Sequence, residues 1–279
     1  MGKRWWWGVL AMCAGMAVAG DPGAVRKQVE SSMLIKGTID VQADGRVSGY
    51  ALEHSETLPK GVLGMVAQTA PHWRFEPIKL VGDSTVARAQ MTLRLVAKQK
   101  DDGTFTVEMR GAHFHQPRPD RDLASLTMQP PKYPQAASRN GVGGSVFLMV
   151  KVGRDGHVLD VVAEQVNLRL IASEHAMTRW RTTLADAAVT AARDWTFRLP
   201  VGGDAATEPY WSARVPVDFL VPGQPAPKDG QWHAYVPGPQ QLVPWKPDRH
   251  GTPAADAFAG GGIYTVNTGL RLLTPVDPT

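Results

Sequence analysis

The sequence predicts an α+β protein. It holds two copies of a small unit ordered strand, strand, helix, strand, each with one helix packed on a small, mostly antiparallel sheet, and then a Pro/Gly-rich C-terminal tail. Three observations carry that expectation. Apolar residues alternate on both sides of an Asp-Gly turn in two places, around Asp44-Gly45 and around Asp155-Gly156. Each turn is followed by a helical stripe. Each stripe closes on Trp-x-Phe, at Trp73-Arg74-Phe75 and at Trp195-Thr196-Phe197. Period 2 puts one row of side chains on one sheet face, and a Gly after Asp accepts the positive φ of a tight hairpin. One amphipathic helix on one half-buried sheet is a two-layer solution that covers both apolar faces.

Residues 1–19 read as a secretory signal. Lys3 and Arg4 form the basic flank, Trp5 to Val18 the apolar core, and Ala17-Val18-Ala19 a small-x-small cleavage site. The apolar run is shorter than the ~20 residues a spanning helix needs. Cleavage is therefore the expectation, and an uncleaved membrane anchor is the alternative. Leu10-Ala11-Met12-Cys13 is a poor lipobox, because Met12 stands where such signals want a small residue. Cys13 is the only cysteine. Cleavage after Ala19 would leave no thiol for disulfides, nucleophilic catalysis or metal binding.

The first unit is expected over 24–115. Ile35, Gly37, Ile39 and Val41 alternate, the turn follows, and Val47, Tyr50 and Leu52 return. Pro59 suits a helix first turn. Val62, Met65, Val66, Thr69 and Trp73 share a helical face. Ala89, Met91, Leu93 and Leu95 form the third strand. Lys100-Asp101-Asp102-Gly103 then turns the chain into Phe105, Val107 and Met109, an added strand expected to cover the outer edge of that sheet.

Residues 116–128 read as an extended, Pro-containing linker, and 129–221 as the second unit. Its first strand carries Val146, Leu148, Val150 and Val152, and its second Val158, Val161 and Ala163. Leu184, Ala187, Ala188, Ala191 and Trp195 share one helical face, with Thr182 or Thr183 as the expected cap. Turn Gly to Trp is 28 residues in the first unit and 39 in the second. The surplus around 168–182 suits an extra helical turn or two. Val215, Val217 and Phe219 form the last strand, and Pro216 within it fits an edge position.

The tail, 222–279, begins Pro222-Gly223-Gln224-Pro225, which cannot extend a ladder. Trp232, Tyr235, Trp245, Ile263, Tyr264 and Leu270 recur in it, so partial docking is expected, with a hairpin around Asn267-Thr268-Gly269. The last strand of the second unit is thereby expected to keep a free edge over Arg214 to Val221. The competing expectation is that the tail hairpin covers it.

Composition narrows the function. The net charge is +4, and losing Lys3 and Arg4 with the leader leaves +2. The basic residues are scattered, which gives no footprint for nucleic acid. Gly141-Val142-Gly143-Gly144 lacks the Lys-Ser/Thr ending of a phosphate loop and precedes a strand. His113 and His115, with Asp120 nearby, suggest a metal site but lack a third ligand at metal spacing. His54 and His175 have no visible acid partner. There is no nucleophile motif, carboxylate pair or cofactor loop, so neither enzyme activity nor a cofactor is expected. Trp73, Phe75, Trp195, Phe197, Gly45 and Gly156 are read as structural.

Tyr133-Pro134, Gly144, Asp155-Gly156 and Trp195-Thr196-Phe197, in that order and spacing, resemble the TonB C-terminal domain family. The first unit resembles it too, but lacks the Tyr-Pro head and has Met33 where the later copy has Gly144. Gln129 is displaced by one from the family's Gln-Pro-x-Tyr-Pro. The resemblance implies a periplasmic domain that grips a short peptide by adding it to a sheet edge. Gly20 to Met33 would extend about 50 Å at most, too short for a cross-envelope rod before the first unit. The expectation is a TonB-like periplasmic binding protein. It would hold an extended peptide of an outer-membrane or other envelope protein, such as a TonB-dependent transporter, through Tyr133, Pro134, Arg214, Val215, Val217, Asp218 and Phe219. Membrane contact would arise only through an uncleaved leader. The alternatives are a closed structural envelope protein, a transducer with an uncleaved anchor, and a hydrolase using His113 and His115.

Overall fold

The alternating runs become two antiparallel sheets in the computed structural model, which describes residues 28–80, 84–202, 204–245, 255–258, 262–266 and 268–277. The expected signal at 1–19, with Cys13, lies outside these. Among the described residues no helix is long and apolar enough to cross a membrane.

The first sheet holds β1 (Glu30–Gln42), β2 (Val47–Leu52), β3 (Val86–Gln99) and β4 (Phe105–His115). β1 lies between β2 and β3, and β4 pairs with β3 from Gln90↔His115 to Gln99↔Phe105. The added strand thus covers the β3 edge as expected. Helix α1 (Lys60–Thr69) turns Val62, Val66 and Thr69 inward, with Pro59 at its N-cap and no side-chain cap. Its partners across the layer include Ile39, Met91, Leu93 and Leu95, all at 1% exposure or less.

The second sheet is built the same way. β6 (Gly144–Val152) lies between β7 (Val158–Leu168) and β9 (Trp211–Phe219), and helix α3 (Glu174–Ala192) covers one face. Two shorter elements precede it, β5 (Ala124–Thr127) and α2 (Gln135–Arg139), and β8 (Thr196–Arg198) lies between α3 and β9. α3 buries Met177, Trp180, Leu184, Ala188 and Ala192. Each large apolar side chain so buried contributes about 1.5–3 kcal/mol.

The two Asp-Gly turns are closed by the same bonds. Phe75 N–H donates to Gly45 O at 2.8 Å, and Phe197 N–H to Gly156 O at 2.8 Å. Gly45 and Gly156 sit at φ +84° and +80°. A Cβ there would lie 2.0 Å from Phe75 O and 2.5 Å from Phe197 O. No other residue fits such an approach at positive φ.

Three expectations need correction. The second helix does not start at Thr182 or Thr183. It starts at Glu174, capped by Ser173, whose Oγ accepts from Ala176 N at 3.4 Å. Thr182 and Thr183 bond back to the carbonyls of Thr178 and Arg179 inside it. The stretch read as a linker is extended but docked: its β5 pairs with β8, and Leu123 is buried. The tail shows no hairpin at Thr268-Gly269 among the described residues (Asn267 lies outside them). Val266 N–H bonds Ser212 O on β9, and Leu270 N–H bonds Phe114 O on β4. The tail crosses from one sheet to the other there.

The tail also joins the sheets elsewhere. β10 (His233–Tyr235) pairs with β1, and the next residue, Val236, exchanges two bonds with Leu168 of β7. Asp256 is buried between the sheets, with its carboxylate 2.7 Å from Arg94 of β3 and 3.2 Å from Asn167 of β7. Near the C-terminus, Leu272 bridges Phe75, and Trp73 Nε1 donates to Val276 O at 3.1 Å. In the second sheet the matching donor, Trp195 Nε1, reaches Gln129 O at 2.9 Å.

Candidate functional site

Which backbone groups of β9 remain unused follows from hydrogen-bond parity. Strand β11 (Tyr264–Thr265) pairs antiparallel with Arg214 and Ala213, and Val266 N–H donates to Ser212 O. In an antiparallel strand the N–H and C=O of alternate residues point to opposite sides. Even-numbered residues of β9 therefore face the outer edge, and odd-numbered ones face β6. Pro216 falls on an outward position, so it removes no bond from the β6 ladder. Past Arg214 the outward groups are the Pro216 carbonyl and the Asp218 N–H and carbonyl. Among the described residues none of these three is paired.

The free edge is thus shorter than Arg214 to Val221. Arg214 is excluded from it. Its backbone faces Tyr264, and its guanidinium makes a buried two-point contact with Glu164 at 2.8 and 2.9 Å. The unpaired run begins beyond it.

A groove of about 370 Å³ borders that run. Val215 to Leu220 form one wall; Met128, Pro130, Pro131 and Tyr133 form the other, with Trp195 between them. Segment 128–133 is held in place at both ends. Gln129 O accepts from Trp195, and Tyr133 Oη donates to Val142 O at 2.7 Å. Tyr133 also packs on Phe219, with ring centroids 5.6 Å apart. Burial pushes its hydroxyl above the ordinary tyrosine range. Pro134 stands at the N-cap of α2, which places Tyr133 before a fixed turn.

The side chains divide by face. Val215, Val217 and Phe219 point into the helix-side core, at 3, 8 and 3% exposure. Asp218 is on the other face and 40% exposed; its carboxylate accepts from Arg169 Nη2 and from Ser145 Oγ, both at 2.5 Å. The structure therefore brings Tyr133 and Val215 to Phe219 together around one groove, and separates Arg214 from it. Met128, Pro130 and Pro131 were missed in the sequence. They sit about 85 residues from β9, and nothing in a Pro-rich stretch signals what it will face.

The histidine pair is a packing feature. His113 and His115 stack at 5.8 Å, and the Tyr264 ring meets His113 edge-on at 4.9 Å. Burial, with His115 and Arg214 nearby, lowers the His113 pKa to about 4. The carboxylate beside His115 is Asp122, at 3.2 Å, not Asp120. Among the described residues no group of three His, Cys, Asp or Glu is placed to hold a metal.

No family model matches this chain, and no solved structure matches it. Two curated proteins named Protein TonB do, from Xanthomonas campestris pv. campestris strains B100 and ATCC 33913. Each is 38% identical over 101 residues, which is 36% of this chain and 39% of the relative. The chain spans well under half the length of these relatives. The similarity supports a TonB-like C-terminal domain within this chain.

Proposed function

We propose that this chain is a TonB-like envelope protein that binds an extended segment of another envelope protein, such as a TonB-dependent transporter, by adding it as a strand to β9. In this reading the molecule contains two TonB-like repeats, 24–115 and 129–221. The first is a scaffold and the second is the reader. The protein works in the periplasm without catalysis or a cofactor. The observation that carries the reading is the unpaired outer edge of Pro216 and Asp218 beside an apolar groove. Backbone bonds supply affinity in strand addition, and alternate side chains supply choice. Residues opposite Val217 and Phe219 would enter the groove toward Tyr133 and Trp195. Those opposite Asp218 would lie beside its carboxylate.

The test is an amide NMR titration of the full chain with a TonB-box peptide. Shifts centred on Val215–Leu220, and lost in Asp218→Pro, support strand addition. Asp218→Pro deletes the edge's remaining donor, and Asp218→Asn controls for loss of the Arg169 contact. A second reading, a closed structural protein, draws on the tail's bonds to both sheets. It predicts a spectrum that no peptide moves.

A further inference from the structure

The tail segment Ile263–Val266 stands in line with the groove. Tyr264 and Thr265 pair with Arg214 and Ala213, and Val266 bonds Ser212. In that register the residue before Tyr264 falls opposite Val215, and the Ile263 side chain packs against the same core cluster as Val215 and Tyr133. The segment thus has both parts of an added strand: main-chain pairing to the outer edge of β9, and an apolar side chain on the core face. It stops where the groove begins. Gly262, at φ +101° and exposed, ends it on that side.

We infer that Ile263–Val266 is a built-in competitor, a piece of this chain that holds the first half of the β9 edge and must leave before a longer strand can pair along all of it. The inference rests on β9 being the recognition edge. With the segment in place, an incoming strand has three backbone groups to bond, those of Pro216 and Asp218. With it gone, Ser212 and Arg214 join them. The competitor's hold is short. It includes the pairing at Ser212, Ala213 and Arg214, the packing of Ile263 on the core, the Tyr264 ring on His113, and Thr265 Oγ1, which accepts from Leu123 N at 3.2 Å. Affinity for an outside strand then scales with the fraction of molecules whose segment is displaced.

The test uses the full chain with Cys13→Ser, and a crosslink made by Ala213→Cys with Thr265→Cys. These two face each other at a non-hydrogen-bonded pair, where the Cα spacing of about 4.5 Å suits a disulfide. The probe is a synthetic peptide with the tail's own sequence, residues 262–268. Oxidised, the variant should bind it at least about tenfold more weakly than when reduced. Ile263→Asp, which ejects the apolar anchor, should bind it about tenfold more tightly than the parent chain. Equal affinity in the oxidised and reduced forms overturns the competitor. If the two affinities are equal while a TonB-box peptide still shifts Val215–Leu220 in both forms, β9 remains the recognition edge and only the competitor fails. If neither peptide moves those amides in any form, the recognition edge itself is wrong. The oxidised and reduced forms are one polypeptide, so the comparison survives even where Ile263→Asp does not fold.

Discussion

β3 and β9 are the third strands of two similarly built sheets, and they differ in who covers their outer edge. β3 is paired along ten residues by β4, its immediate neighbour in sequence. β9 is paired at two residues by β11, which arrives from 45 residues away. An edge closed by a local hairpin is closed for good, because loop closure is short and the pairing long. An edge closed by a distant two-residue strand is held weakly. The local construction of the two halves is otherwise alike, down to the Gly–Phe bonds at the Asp-Gly turns and the tryptophan Nε1 bonded to a backbone carbonyl. In the proposed reading, this difference in edge cover assigns the halves different work.

The largest effect that could break this comparison is at the tryptophans. Trp73→Ala and Trp195→Ala should each cost about 4 kcal/mol, read by urea unfolding. The two differ in what they free: Trp73 releases the C-terminus at Val276, and Trp195 releases segment 128–133 and with it the groove wall. Only Trp195→Ala should abolish the peptide shifts at Val215–Leu220. If Trp73→Ala abolishes them as strongly, the halves are not functionally distinct.

Acid should sharpen the comparison. His113 is held neutral in the folded chain, with a pKa of about 4 against 6.5. The unfolded chain therefore takes up the proton first, and stability falls as pH drops from about 6.5 toward 4, by up to about 3 kcal/mol. Burial alone would raise the Glu30 carboxyl, but bonds from Arg110 and Tyr235 hold it below its usual range. Its contribution is present above the unfolded value and is lost only as pH falls further. His113→Asn should flatten the upper part of the thermal stability profile and leave the lower part unchanged.

The turn glycines give a smaller, graded effect. Gly45→Ala should cost about 3 kcal/mol and Gly156→Ala about 2, in that order because the clash at Gly45 is closer. The reverse order in denaturant midpoints would mean that the second turn is the more rigid one. The smallest effect is at the helix starts. Ser173→Ala should cost about 1 kcal/mol, whereas the α1 start at Pro59 has no side-chain cap to lose.

Much of the sheet architecture was legible because its signals are local. Alternation through Val146–Val152, the Asp-Gly pairs and the Trp-x-Phe sequences each report on neighbours a few residues away. The start of α3 was also written in the chain: Ser173-Glu174 ahead of Ala176-Met177 is a capping signal, which the later threonines obscured. What the sequence hid is long-range. Ile263-Tyr264-Thr265-Val266 is too short to show a period, and its partners Arg214 and Ala213 lie far away along the chain. The groove needs Met128, Pro130 and Pro131 opposite β9, a juxtaposition that appears only once Trp195 has captured Gln129. One end of the edge expected to be free, at Arg214, proved to be occupied for the same reason.

The bond from Trp73 to Val276 has a consequence for the order of assembly. The first sheet waits for residues made long after its own strands, since Phe75, Phe114 and Met109 all find partners between 270 and 277. A chain broken off early would carry a complete set of strands and an unsealed first core. The first sheet therefore owes part of its closure to a segment far from it along the chain.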